Sequence, residues 1–299
     1  MRTRRLPVFD VFTVCAVAAS VASAQTPVTG HYPPGQSGIR GASSPEPGFA
    51  ITNFSRFFTN LETVEPGGTQ SVHELRYANI TMFTWTTDTK VFGMRYGALA
   101  GVPFATGDLS SPEGESGFGL GDILVTPLSL YGKSTAFDYQ LQFTVWTPSG
   151  HFVPQSSRNR GTGFWALVYS LGGVFYPNGN REAWSISAVA RTEQNFEQRG
   201  SDIRPGNDIV VDWGVGRMFH PGHRQLDIGI SGFGAWQLTA QQGGSPNTDS
   251  MRYRLLGLGP EASLSISKPL SLRLRAQWEL GARDIVRGNN LWVIWNYRF

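Results

Sequence analysis

Apolar and polar residues alternate along much of this chain. In the stretch PLSLRLRAQWELG, Leu270, Leu272, Leu274, Ala276, Trp278 and Leu280 fall on one parity; Ser271, Arg273, Arg275, Gln277 and Glu279 fall on the other. An extended strand points successive side chains to opposite faces, so this run predicts one face in oil and one in water. A helix would scatter the same arginines around its apolar face. In RQLDIGISGFGAW, Leu226, Ile228, Ile230 and Trp236 oppose Asp227, Gly229, Ser231 and Ala235; in NDIVVDWGVGRMF, Ile209, Val211, Trp213, Val215 and Phe219 oppose Asp212, Gly214 and Gly216. The final residues, LWVIWNYRF, set Leu291, Val293, Trp295, Tyr297 and Phe299 against Trp292, Ile294, Asn296 and Arg298.

Extending this reading predicts twelve strands, at 48–58, 73–86, 90–104, 118–131, 136–148, 162–176, 182–193, 207–219, 224–240, 252–267, 270–283 and 289–299. Alternation is poorest at 162–176. The links TTDTK, YGKSTA, YPNGNRE, HPGHR and SKP are short and rich in turn formers. Those between them are longer: NLETVEPGGTQSV, ATGDLSSPEGESGFG, PSGHFVPQSSRNRG, QNFEQRGSDIRPG and AQQGGSPNTDSM, with DIVRGNN the brief exception. Short periplasmic turns alternating with long external loops are the plan of an up-and-down barrel in an outer membrane. A secreted β-sandwich also alternates. Many of the predicted strands, however, are long enough to cross a bilayer at a tilt, and the polar parity carries charges at strand centres. The expected fold is therefore all-β, a transmembrane up-and-down antiparallel β-barrel of about twelve strands.

The start of the chain is of another kind. MRTRRLPVFD carries Arg2, Arg4 and Arg5, VFTVCAVAASVA is apolar, and Ala22-Ser23-Ala24 is a small-residue cleavage site. This predicts a signal peptide over residues 1–24, cut before Gln25. Cys15 raises lipoprotein processing as a rival, but the preceding FTV lacks the small residues that route needs. The leader holds three arginines and one aspartate, so its loss takes the net charge from +3 to about +1. Nucleic acid is then not an expected partner. Cys15 is the one cysteine, and it leaves with the leader, so disulfides and cysteine-metal sites are not expected. Residues 25–47, rich in Pro and Gly, form a segment that either plugs the lumen or hangs in the periplasm, and 48–299 is the expected barrel.

Parity assigns the candidate functional residues. Arg273, Arg275, Glu279, Glu261, Asp212 and Asp227 are predicted to face the lumen, with Arg76, Arg95 and Arg191 as weaker candidates. If SKP makes a turn, Glu261 lies close to Arg275. The group either sets pore selectivity or forms an ion-pair network that stiffens the barrel. An outward charge at the membrane midplane would cost roughly 2–4 kcal/mol, which supports the inward assignment. Trp292 and Ile294, large and apolar on the lumen parity, predict an interior partly suited to a hydrophobic solute. Trp184, Trp213, Phe219, Trp236 and Trp278 fall on the lipid parity and are candidates for an interfacial aromatic girdle; lipid-facing hydrophobes at arbitrary depth are the plainer reading.

Three stretches carry a family resemblance. HYPPGQSGIRGASSPEPGFAITNFSRFF near the start, GFGLGDILVTPLSL from Gly117, and the closing NNLWVIWNYRF resemble the MetA-pathway phenol-degradation transporters. The resemblance implies an outer-membrane barrel linked to uptake of aromatic or other hydrophobic compounds. It supplies no catalytic or ligand set. A terminal aromatic on the lipid parity also resembles the signal read by the bacterial barrel-assembly machinery, with Trp295, Tyr297 and Phe299 as its contacts; packing of a last strand is the alternative.

Enzymatic readings have little to stand on. A barrel lipase would use Ser, His and a polar orienter, and the available histidines are His31, His73, His151, His220 and His223. Ser149 neighbours His151, yet no serine sits in a nucleophile-elbow pattern. His220 and His223 in HPGH are two histidines of a short turn, a weak metal motif. The sequence thus predicts a passive outer-membrane channel, without catalytic residues, metal or cofactor. Its expected partners are membrane lipid, the assembly machinery and a small hydrophobic or aromatic solute. A barrel serving surface adhesion or anchoring is the alternative.

Overall fold

A computed structural model describes residues 27–65, 68–108, 118–154, 156, 159–244 and 251–299. The expected leader, 1–24, lies outside the described residues, as do the middle of the loop following Asp108 and residues 245–250. The chain forms β1 (Gly48–Glu65), β2 (Gly68–Val91), β3 (Met94–Asp108), a two-residue β4 (Gly119–Leu120), β5 (Leu124–Lys133), β6 (Phe137–Trp146) and β7 (Ala166–Phe175). It continues with β8 (Trp184–Asn195), β9 (Asp208–Phe219), β10 (Leu226–Gln237), β11 (Arg254–Ser265), β12 (Leu270–Arg283) and β13 (Ile285–Arg298). Every long strand pairs antiparallel with its neighbour, and β13 returns to pair with β1. The result is a closed barrel of twelve long strands, with β4 extending the wall beside β3. Closure leaves no free edge, and every backbone ladder is satisfied within the wall.

The closing contact is made by the stretch the alternation picked out. Trp295 opposes Asn53, Tyr297 opposes Ile51, and Phe299 N donates to Phe49 O at 2.9 Å. The Phe299 ring lies 5.6 Å from Phe49 and 4.9 Å from Tyr297. Leu291, Trp295, Tyr297 and Phe299 are exposed, whereas Trp292 and Ile294 are buried. The same in-and-out pattern holds along β12, where Leu274, Trp278 and Leu280 are exposed and Arg275, Gln277 and Glu279 are buried. An apolar surface turned outward around a barrel has lipid as its natural solvent.

Three features differ from the sequence expectation. NLETVEPGGTQSV was read as a long loop, but β1 and β2 continue through it in register, from Leu61 opposite Val72 to Glu65 opposite Gly68. Strand propensity at Val64, Thr69 and Val72 carries the ladder past the shift at Thr59/Leu61. Likewise DIVRGNN is the start of β13, leaving Asp284 alone, at φ 55, between β12 and β13. The strand expected at 118–131 is broken at residues 121–123, where Gly121 N bonds back to Pro103 O. The remaining long links, after β3, β6, β8 and β10, lie at one end of the barrel; the short turns and both termini of the strand series lie at the other.

Leu171, in the middle of β7, is 62% exposed. Leu171→Arg should cost about 2–4 kcal/mol of folding free energy in lipid vesicles, read from denaturant titration. A cost near zero would contradict its outward orientation.

Candidate functional site

The lumen is not empty. Residues 27–47 run through it as a strap, from the long-link end to the short-turn end, before the chain enters β1. Near the long-link end, Glu193 accepts from His31 N at 2.7 Å and Tyr32 N at 3.2 Å. Midway, Asp212 accepts from Gly35 N at 2.8 Å, Ser37 N at 2.9 Å and the Tyr32 hydroxyl at 2.5 Å. Further on, Glu261 accepts from Ile39 N at 3.2 Å, and Arg40 pairs with Asp227 at 2.9 Å. At the short-turn end, Glu46 pairs with Arg95 and Lys133, each at 3.1 Å. The Lys133 hydrogen bond holds the Glu46 carboxyl below its usual range.

These contacts explain the charges on the inward parity. A backbone N–H buried in the lumen needs an acceptor, and a buried carboxylate needs donors; each meets the other's requirement. The remaining charge is balanced on the wall. Arg191 reaches Asp212 at 3.3 Å and Ser37 Oγ at 2.8 Å. Arg275 and Arg273 pair with Glu261 at 2.8 and 3.3 Å, and Arg275 also donates to Gly35 O. Glu261 and Arg275 are direct cross-strand partners.

Glycines give the strap room. Gly214 and Gly216 of β9 face inward, and a Cβ on either would lie 2.5 or 2.7 Å from Ile39. Ile39 is 1% exposed in the slot they leave. On the strap itself, a Cβ at Gly38 would strike Glu261 and Arg275. Close approach, not turn geometry, requires glycine at these positions.

The strap makes most of its polar contacts on one side of the lumen, while Val28 packs against the other, His31 meets Trp146 and Phe164 there, and Gln36 Nε2 lies 3.6 Å from Met82 Sδ. Its polar partners come chiefly from β8 to β12; the wall opposite is mixed, with Thr126, Gln140, Gln142, Thr144 and Ser170 beside an apolar patch. Ile80, Leu124, Trp146, Phe164, Ala166 and Val168 form a buried cluster, with Phe54, Met82 and Leu99 packed against it. Beside the strap lie four cavities of about 570, 190, 170 and 370 Å³. Each shares lining residues with the next: His31, Pro33 and Arg56 between the first two, Phe54 and Trp146 between the second and third, Gly41 and Gln140 between the last two. They form an interrupted passage from the long-link end to the short-turn end. Its two middle chambers are close in volume to the roughly 150 Å³ space that accommodates benzene in other proteins, and each sets apolar side chains beside polar ones.

His31 stands where the first two cavities meet. Its Nδ1 is 2.7 Å from Glu193 Oε1 and its Nε2 is 2.7 Å from Thr162 Oγ1 and 3.4 Å from Asp122. The ring stacks on Trp146 at 5.1 Å and meets Phe164 edge-on at 4.5 Å. Burial opposes charge on the imidazole, but the bonds to Asp122 and Glu193 outweigh it and raise its pKa to about 9. Asp122 also resists burial: bonds from His31, Thr162 and Gly150 hold its carboxyl below the ordinary value.

The sequence candidates separate into groups. Asp212, Asp227, Glu261, Arg273 and Arg275 meet in or beside the strap network. Glu279 stands apart near the vestibule, where it pairs with Arg56 at 3.3 Å and accepts from Asn290 and Gly288. Trp292 borders the second cavity and donates to Gln277 at 3.2 Å; Ile294 is buried two residues on. Trp184 and Phe219 lie at strand ends on the short-turn side, with Arg217 over both rings. Trp236 lies at the long-link end of β10, while Trp213 sits in mid-strand and Trp278 nine residues into β12. Sequence reasoning passed over Trp85, Phe137, Trp165 and Phe175, all exposed and at or near strand ends.

His31, in the Pro- and Gly-rich segment, has a side chain only 2% exposed. His73's side chain lies outside the described residues. His151, His220 and His223 are exposed. Ser149 Oγ accepts from Ile123 N and Thr147 Oγ1 at 2.8 and 3.0 Å. Among the described residues, no cluster of three His, Cys, Asp or Glu has metal-binding geometry.

A closed twelve-stranded barrel, apolar outside and charged within, defines a transmembrane β-barrel of the bacterial outer membrane. The chain belongs to the family described as "Putative MetA-pathway of phenol degradation", whose profile matches residues 64–295. It is similar in fold to the COG4313 outer membrane channel from Pseudomonas putida F1, with 14% identity, a TM-score of 0.70, and 90% of this chain and 100% of that one covered. The beta domain of the Bordetella autotransporter BrkA lies further off, with 11% identity, a TM-score of 0.48, and 85% and 100% covered. No curated protein is significantly similar to the chain.

Asp212→Ala would remove the acceptor of Gly35 N, Ser37 N and Tyr32 and leave Arg191 without its carboxylate. Exchange of the Gly35 and Ser37 amides, followed by mass spectrometry on the folded barrel, should quicken roughly 10–100-fold, the equivalent of about 1.5–3 kcal/mol. Unchanged exchange would mean the strap is held elsewhere.

Proposed function

We propose that the protein is a passive channel admitting small hydrophobic or aromatic compounds across the outer membrane, linked to their degradation. The observation that carries this reading is the line of four cavities beside the strap, with apolar side chains around its narrow middle. Family membership points the same way, as does the fold shared with a channel from Pseudomonas putida. No energy source is needed: the solute moves down its gradient, and loops at the long-link end collect it from outside. The strap selects by size, because it fills much of the lumen and leaves middle chambers of about 190 and 170 Å³. The reading is non-catalytic, and it gives the charged inward residues a structural role in holding the strap. Trp292 belongs to the solute path, and Trp295, Tyr297 and Phe299 present the rim read during assembly. The outward aromatics at strand ends anchor the barrel at the membrane surfaces.

Met82 packs against the apolar cluster and borders the third cavity. Met82→Trp adds a ring to that chamber and should cut flux of phenol or toluene into proteoliposomes about tenfold while the barrel still assembles, with gel mobility dependent on heating. Undiminished flux would place the path elsewhere. A folded wild-type barrel passing no solute would overturn the channel reading.

A further inference from the structure

The outer end of the strap is built differently from its middle. Gly30, His31 and Pro33 line both the vestibule of about 570 Å³ and the first inner chamber of about 190 Å³. With Arg56 and Thr162 they border both spaces, so a shift of this segment would change how the two communicate. What holds the segment is narrow in its demands. Thr162 Oγ1 donates to Asp122 Oδ2 at 2.7 Å, so toward His31 Nε2, 2.7 Å away, it is an acceptor. On the other side of the ring, Nδ1 faces the Glu193 carboxylate at 2.7 Å. Both ring nitrogens must therefore donate, and only the imidazolium does so.

The titratable and charged groups around this ring come from several elements. Glu193 projects from β8, Asp208 from β9 and Asp122 from the link before β5, while Arg160 lines the inner chamber beside it. Asp208 Oδ2 is buried without a partner and lies against Gly30. Trp146 and Phe164 close the ring in from the apolar side.

We propose that residues 30–33 are the gate of the passage, latched shut by the His31 imidazolium between Glu193 and the Thr162–Asp122 pair. This rests on the channel reading. Loss of the ring proton turns one nitrogen into an acceptor facing an acceptor, so one latch bond is lost and the segment loosens. The folded-state pKa, about 9, lies above the 6.5 of a free imidazole. The latch is therefore at full strength below about 6.5 and weakens as pH rises through about 9. Neutral and mildly acidic conditions keep the gate shut; alkaline conditions open it.

The test uses the full-length protein in proteoliposomes or planar bilayers, with phenol flux and ion conductance measured from pH 7 to pH 10. Wild type should pass little at pH 7 and several-fold more at pH 10. His31→Ala should pass more at pH 7 and respond little to pH. His31→Gln keeps a polar side chain of similar reach without the charge, and it should also lose the alkaline rise. Wild-type flux and an unchanged pH profile in both variants would overturn the gate alone. Absence of flux in every protein at every pH would overturn the channel reading and the gate with it. If His31→Ala fails the heat-mobility test for folding, the wild-type profile still decides, because a flat one contradicts the latch.

Discussion

The arrangement of the lumen depends on carboxylates accepting hydrogen bonds from the backbone of the chain's own N-terminal segment. Glu193, Asp212 and Glu261 project from three strands of the wall, and each receives one or more strap N–H groups. Neither side is stable alone. Buried carboxylates without donors, and buried amides without acceptors, each carry a desolvation cost of several kcal/mol. Together they fix the strap's height, its register and the wall it lies on. The glycine slot for Ile39 and the Arg191, Arg273 and Arg275 pairs follow from that placement. So does the free space, because a strap held mainly by β8–β12 leaves room between itself and much of the opposite wall.

In the proposed channel, selectivity follows from this asymmetry. A lumen polar all round would admit water and ions along its whole width. Here one side is filled by peptide, and the other sets Phe54, Met82, Leu99, Leu124, Trp146 and Val168 beside the uncharged polar groups of Thr126, Gln140, Gln142, Thr144 and Ser170. A hydrophobic solute loses little on leaving the outer vestibule for such a wall, and an ion loses its hydration. The same strap that narrows the path also borders its entrance, so permeability and strap docking are one equilibrium seen from two sides.

Much of the wall was legible in the sequence. Where one face meets lipid and the other meets charge, as along β12 and β13, period-2 alternation gives strand, orientation and even the Glu261–Arg275 pairing. Legibility fell where both faces are apolar. In β7, Ala166 and Val168 point inward while Leu167, Tyr169 and Leu171 point outward, so alternation fades at the wall that lines the passage. The weak signal at 162–176 was itself the mark of an apolar lumen, and Trp292 and Ile294 were its clearer sign. The first long link was misjudged because strand pairing beyond the membrane follows no oil–water rule. The strap was beyond sequence reasoning for another reason. Its partners lie some 160 to 220 residues away along the chain, and nothing local in HYPPGQSGIRG tells a lumen-bound peptide from a periplasmic tail.

The central claim is that the strap covers one wall and leaves the other open to solute. Cysteine accessibility tests it most directly, because the one native cysteine, Cys15, falls in the expected leader. Leu99→Cys would place a thiol on the apolar side; Val189→Cys would place one on β8 in the cluster with Ala42 of the strap. A small membrane-impermeant thiol reagent applied during single-channel recording should label Leu99→Cys and lower its current, leaving Val189→Cys unreacted. Rapid labelling of Val189→Cys with Leu99→Cys protected would contradict the account.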